Sequence, residues 1–443
     1  MRHARTTTAG TLGITALLAL SACGSSGSSG ASGAPASIGG ADGEGETLTV
    51  WVMDGDYTEP TLDAINERFT EETGAEVDVQ VQQWDGITTK VSTALSTSTP
   101  PDVLDLGNTQ VPGYAANGAL LDLSSYADDL RAGRTWLAGL EDPATIDGTL
   151  YAVPGFAGTR TVIYNKTMWA DAGVTEPPTT YEELTSALDA VAAANGGTTG
   201  FAPFYYPAGQ WYAGLQWVWD AGGEMATDED GTWTGQMSSP ESQQGLQQFK
   251  DFQNTYSTGA SQTLDVLSPD QTQIFADGQT SAIIATSSSI DMITSANPDI
   301  TEDDLGTFPF PGTSGEAQPV FLGGSVWGVA ARTDQPDLAL EWVSIAASPE
   351  IQDEYVFGEQ GWIPNSTEAV EAAQATGLSP VDEGYFAASL RSRATPAAAS
   401  WPTLEGDQSV NELFTSVASG SKTPEQAAAD FDDHLESVLN EGQ

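Results

Sequence analysis

The chain carries few groups that make or break bonds. It has two histidines and one cysteine in 443 residues. His3 belongs to a short basic start with Arg2 and Arg5, and His434 falls in a stretch patterned as a terminal amphipathic helix, where a surface position suffices to explain it. No zinc or calcium spacing occurs: Asp228-Glu229-Asp230-Gly231 is an acidic turn without the rest of a calcium loop. Two kinds of side chain remain. Asp54 and Asp56 follow an apolar strand-like segment, where a carboxylate either accepts hydroxyls in charge-assisted hydrogen bonds or simply makes an Asp-Gly turn. Residues 204–212 (FYYPAGQWY) concentrate flat rings. In a chain this acidic, a carboxylate pair suited to glycoside hydrolysis stays open.

Thirteen Lys+Arg stand against 62 Asp+Glu, for a net charge of −49. That balance excludes nucleic acid, which needs basic patches against phosphate, and electrostatic docking on anionic lipid. It fits a solvated acidic surface. The basic start is followed by an apolar run, Leu12–Leu20, and then Ser21-Ala22-Cys23. Basic, apolar and small segments in that order form a secretory leader, and the apolar run is too short to span a bilayer. Leu20-Ser21-Ala22-Cys23 resembles the lipobox of bacterial lipoproteins, which implies a signal peptide over 1–22 and lipid on Cys23. Residues 23–46, nearly all Gly, Ser and Ala, bury too little apolar surface to offset their ordering entropy and read as a flexible tether.

The elements that must position the rings and carboxylates begin at Thr47. Thr47–Met53 reads as a buried strand, Leu62, Ile65 and Phe69 fall at helical spacing, and Glu76–Val81 alternates as a strand. A helix over Ile87–Leu95 and a strand at Val103–Leu106 follow. This alternation predicts a parallel sheet covered by helices, with ligands at the carboxyl ends of its strands. A second unit opens after Pro154 with a strand at Thr161–Tyr164 and a helix capped by Thr180 and Glu183. Ser239-Pro240, Ser348-Pro349 and Thr423-Pro424 each fit a cap followed by proline in the first helical turn, and Ala282–Ala285 reads as a buried strand. A body this long predicts two lobes.

Several segments in order resemble the extracellular solute-binding proteins of ABC importers, in the carbohydrate group that includes maltose-binding protein. They include TLTVWVMDGD (47–56), PPDVLDLGNTQVPGYAANGALLDLS (100–124), DGTLYAVPG (147–155), VIYNKTMWADAGV (162–174), FLGGSVWGVAA (321–331), GWIPN (361–365) and SKTPEQAAADFDDHL (421–435). The resemblance spans the chain after the tether. It implies an α/β, two-lobed periplasmic-binding-protein-like fold with a hinge and multiple chain crossings. Lobe one maps to 47–155 plus 322–366 and lobe two to 156–321 plus 367–443, with glycines in Pro154-Gly155 and Gly323-Gly324 absorbing the rotation of a hinge.

By the same resemblance, sugar binds between the lobes. Its expected contacts are Asp54, Asp56, Asn108 and Gln110 at strand ends and Arg160 after the first crossing, the last either on ligand or paired with a carboxylate. Tyr205, Trp211, Tyr212 and Trp401 supply stacking faces, with Ser289, Gly324, Ser325 and Trp327 completing the set, whereas Trp217 and Trp219 are assigned to the core. Thr109 and Gln110 replace the acid and arginine of the maltose-binding pattern, which argues against maltose. The expected activity is that of a monomeric, lipid-anchored receptor on the extracytoplasmic face. It has no enzymatic role, metal or cofactor, and delivers an oligosaccharide (a cello- or chito-oligosaccharide) to permease subunits. The alternative is an anchored glycosidase, which would shorten the sugar.

Overall fold

The computed structural model describes residues 37–441; the leader, Cys23 and the first part of the tether lie outside them. Nine strands carry the architecture: β1 (Thr47–Met53), β2 (Glu76–Gln82), β3 (Val103–Gly107), β4 (Ala152–Gly158), β5 (Thr161–Asn165), β6 (Ala282–Ala285), β7 (Leu305–Phe308), β8 (Gly323–Val329) and β9 (Ile363–Pro364). Six form one sheet in the order β9-β4-β8-β3-β1-β2, and three form a second in the order β6-β5-β7. The result is the two-lobed periplasmic-binding-protein fold.

β1 pairs in parallel with β2 and β3, with Val52 opposite Val81 and Val50 opposite Val103. β3, between β8 and β1, is buried from Val103 to Leu106, Asp105 included. Two strands correct the parallel expectation: β8 runs antiparallel to β3 and β4, and β9 antiparallel to β4. They are return passes entering from the opposite end, a consequence of chain path that no local pattern encodes. In the second sheet β5 lies between β6 and β7, antiparallel to both. The chain passes from sheet to sheet where β4 runs into β5 and where it re-enters the first sheet at β8.

Local signals place the helices. Thr180 and Glu183 form a reciprocal capping box at the head of Tyr181–Ala194, and Thr423 and Gln426 do the same for Pro424–Leu439. Ser239 caps Pro240–Tyr256 through the Ser242 amide. One core surrounds the first sheet, from Leu48 and Val50 to Trp327 and Trp342. A second, rich in aromatics, holds Phe204, Trp217, Phe249 and Trp401. A third joins the sheets near the crossings, with Ala157 and Leu322 against Ile163 and Ile283.

The glycines at the crossings have a packing reason. A Cβ on Gly324 would fall 2.1 Å from the Phe156 carbonyl oxygen, and one on Gly155 would fall 2.3 Å from the Tyr57 hydroxyl. They let β4 and β8 approach each other and let Tyr57 lie against β4. Residues 38–43, expected to belong to the tether, are instead held against the folded body. The Gly43 amide donates to Thr73 O at 2.9 Å, the Ile38 amide to Asp129 Oδ2 at 2.9 Å, and Ile38 and Ala41 pack on the first core.

Candidate functional site

Two cavities flank β4 where it leaves the first sheet. The first, about 310 Å³, is lined on one side by Asp56, Trp84, Gly107, Asn108 and Thr109, which follow the carboxyl ends of β1, β2 and β3. Tyr212, Phe321 and Glu405 close it from the other side, with Phe156, Gly323 and Gly324 between. The second, about 230 Å³, takes Ala157, Gly158, Thr159 and Trp362 on one side and Thr286, Ser287, Ser288, Asp382 and Tyr385 on the other. Phe156 and Trp362 stand between the cavities, stacked at 4.7 Å and 19°. Larger hollows of about 380, 460 and 770 Å³ lie elsewhere, among the C-terminal helices, at the amino end of β1, and beside 173–187. Each draws on one side of the molecule only. The cavities at the crossings combine residues of the first sheet and its strand ends with residues of segments outside it, as a cleft does.

The first cavity pairs flat rings with polar groups. Trp84 is 41% exposed, unusual for tryptophan, and its Nε1 donates to Asp56 Oδ1 at 3.4 Å. Burial pushes the Asp56 carboxyl up to about 6, an effect offset in part by its hydrogen bonds to Trp84 and Asp105. Glu405, facing the same cavity, is also raised by burial. Asn108 commits its amide nitrogen to Gly139 O at 3.0 Å and Leu322 O at 2.8 Å, which fixes the cavity floor. Among the described residues, no group of three His, Cys, Asp or Glu could hold a metal ion.

Of the residues expected at the site, Asp56, Asn108, Tyr212 and Gly324 line this cavity. Asp54 is exposed beside it. Gln110 turns away, its Nε2 donating to Thr88 Oγ1 at 3.4 Å. The Arg160 guanidinium lies 4.2 Å from the centre of the Tyr212 ring, behind the cavity wall, with no ion pair among the described residues. Burial lowers its pKa.

Six expected contacts are buried side chains instead. Trp211, 3% exposed, stacks behind Tyr212 at 3.8 Å and 30°. Trp401 has no exposed surface and backs Trp211 at 5.9 Å. Trp327, equally buried, packs between Tyr57 and Trp342. Tyr205 is a bridge partner of Ile283 in β6, and Ser325 bonds Asp105 and Tyr57 beneath the cavity. Ser289 is buried too, while its neighbours Thr286, Ser287 and Ser288 line the second cavity. Helix and strand assignment located these residues, but which face turns inward depended on packing partners distant in sequence. Trp84, Phe156, Phe321, Trp362 and Glu405 were missed. Trp84 follows the carboxyl end of β2, where sheets of this kind place ligands.

The model of the family described as bacterial extracellular solute-binding protein matches residues 64–380. The diacetylchitobiose binding protein DasA of Streptomyces coelicolor is 35% identical over 411 residues, covering 91% of this chain and 92% of its own. This chain belongs to the bacterial extracellular solute-binding protein family. Solved relatives share the fold of this solute-binding protein. The sugar-binding protein MalE from Xanthomonas citri superposes with a TM-score of 0.76 at 20% identity, over 89% of this chain and 97% of that one. A cyclo/maltodextrin-binding protein in complex with maltotetraose gives 0.74 at 21%, over 90% and 98%. The GacH receptor of Streptomyces glaucescens gives 0.67 at 21%, over 90% and 99%. The homologues of this solute-binding protein are binding proteins rather than enzymes. No helix among the described residues is long and apolar enough to cross a membrane.

Proposed function

We propose that this chain binds a short N-acetylated oligosaccharide between its lobes and delivers it to the permease of a sugar ABC transporter. It is the transporter's substrate-binding component. The observation that carries this reading is the first cavity, where Trp84 and Tyr212 offer rings beside Asp56 and Glu405. A sugar ring needs such a combination, apolar faces for its C–H side and acceptors for its hydroxyls. The relative that matches over nearly the full length is named for diacetylchitobiose, which supports a chito-oligosaccharide over maltose. Asp56 and Tyr212 are the contacts best placed for it. Cys23 anchors the mature protein, a monomer, by lipid to the outer face of the cell membrane.

Titration calorimetry with N,N′-diacetylchitobiose, cellobiose and maltose tests the reading. Tightest binding of the acetylated disaccharide, with a smaller radius of gyration in solution scattering when it is bound, is the expected result. No heat with any of the three, or a preference for maltose, sinks it. Asp56 and Glu405 on one cavity are the feature a glycosidase would share, so the same mixtures are also analysed for product. Intact disaccharide is expected, and released monosaccharide would establish the enzyme instead.

A further inference from the structure

A carboxyl with no cation beside it among the described residues lies beneath the first cavity. Asp105, in the middle of β3, has no exposed surface. Its Oδ2 accepts from the Met53 amide at 3.0 Å. Its other oxygen is hydrogen-bonded to Ser325 Oγ, which lies 3.2 Å from the Tyr57 hydroxyl. The Asp56 carboxyl, which reaches the cavity, shares a hydrogen bond with it. The groups facing the pair are Tyr57 after β1, Trp84 after β2, Ser325 and Trp327 in β8, and Glu405 across the cavity. None is a Lys, Arg or His. Two carboxylates in contact without a cation do not both ionise, and a hydrogen bond between carboxyls needs a proton on one of them.

We propose that Asp105 is a neutral carboxylic acid at pH 7.5 and the positioning residue for Asp56, donating the proton that holds Asp56 as an ionised acceptor for a sugar hydroxyl. Asp105 has no exposed surface whereas Asp56 reaches the cavity, so Asp105 is the member that keeps the proton; burial and the neighbouring Asp56 charge push its carboxyl well above the ordinary carboxylate range. The buried serine and tyrosine extend the same chain of hydrogen bonds to β8, one residue from Gly324.

The affinity consequence rests on the sugar-binding reading, whereas the protonation state does not. Wild type, Asp105→Asn and Asp105→Ala are titrated with N,N′-diacetylchitobiose at pH 7.5, with melting curves to establish folding. An asparagine N–H replaces the acid O–H, so Asp105→Asn is expected to stay within about threefold of wild type, and Asp105→Ala to weaken binding on the order of tenfold. Infrared spectra of the sugar-free protein at pH 7.5 should show a protonated-carboxyl stretch in wild type that Asp105→Asn lacks. Equal loss in both variants, or identical infrared spectra, overturns the assignment. If wild type binds no disaccharide, the sugar reading fails by itself and the infrared comparison still decides the protonation of Asp105.

Discussion

The indole of Trp211 lies flat behind the ring of Tyr212, 3.8 Å away, and only the tyrosine faces the cavity. One residue is wall surface and its neighbour is wall filling. Tyr212→Ala should therefore lose on the order of 2 kcal/mol of affinity, about thirtyfold, with a small change in stability. Trp211→Ala should instead lower stability by about 3–5 kcal/mol through the cavity it leaves. Trp84→Ala, at a partly exposed position, should behave like Tyr212→Ala. Calorimetry on folded protein beside denaturant melts separates the two behaviours, and normal binding by Tyr212→Ala would place the sugar elsewhere.

Asp56 should make stability depend on pH in a defined window. Its folded-state pKa, about 6, lies above the ordinary value of 3.8. The folded protein then holds more protons than the unfolded chain between those values, and stability falls as pH rises through them. Asp56→Asn removes this loss. It should raise the melting temperature at pH 7.5, and the gain should vanish near pH 4, while sugar affinity drops. A gain of equal size at both pH values would mean that burial of charge is not the cause.

Gly324→Ala places a methyl 2.1 Å from the Phe156 carbonyl oxygen and 3.0 Å from Ala157 Cα, so backbone must shift to admit it. About 1–3 kcal/mol of stability should be lost, the usual cost of overpacking. Gly323→Ala next to it meets no atom closer than 3.7 Å and should be tolerated. Thermal melts of the two variants side by side check this, and equal tolerance would show that β4 and β8 yield more easily than their contact distance implies.

Cys23→Ala should release the protein from membranes or block its processing. Fractionation of cells expressing the variant reads the outcome directly, and a correctly processed variant that still pellets with membrane would rule out the lipid anchor.

Strand and helix positions were legible in the sequence wherever a local pattern decided them. β1, β2, β3 and β6 follow from apolar runs and alternation, and the heads of the helices from Thr180, Ser239 and Thr423. What stayed hidden was set by partners far along the chain. Trp401 looks like a binding residue until Trp211 is seen packed against it, and Asp105 looks like an ordinary strand residue until Asp56 and Ser325 meet it. Nothing near Glu405 in sequence marks it as a cavity residue. Trp84 differs from these, because its place just after the carboxyl end of β2 is itself a local signal.

The stacked pair Phe156 and Trp362 divides the space at the crossings into two compartments of about 310 and 230 Å³. Ligand length thereby becomes a counted quantity. A guest that fills one compartment leaves the partition undisturbed, and a guest that fills both must go around it or turn an indole aside. Phe156 is held by β4, whereas Trp362 precedes the two-residue strand β9. In the proposed sugar-binding reading, trimming that one indole should join the compartments and lengthen the accepted chain without altering either sheet, which makes position 362 a single-residue control on chain length.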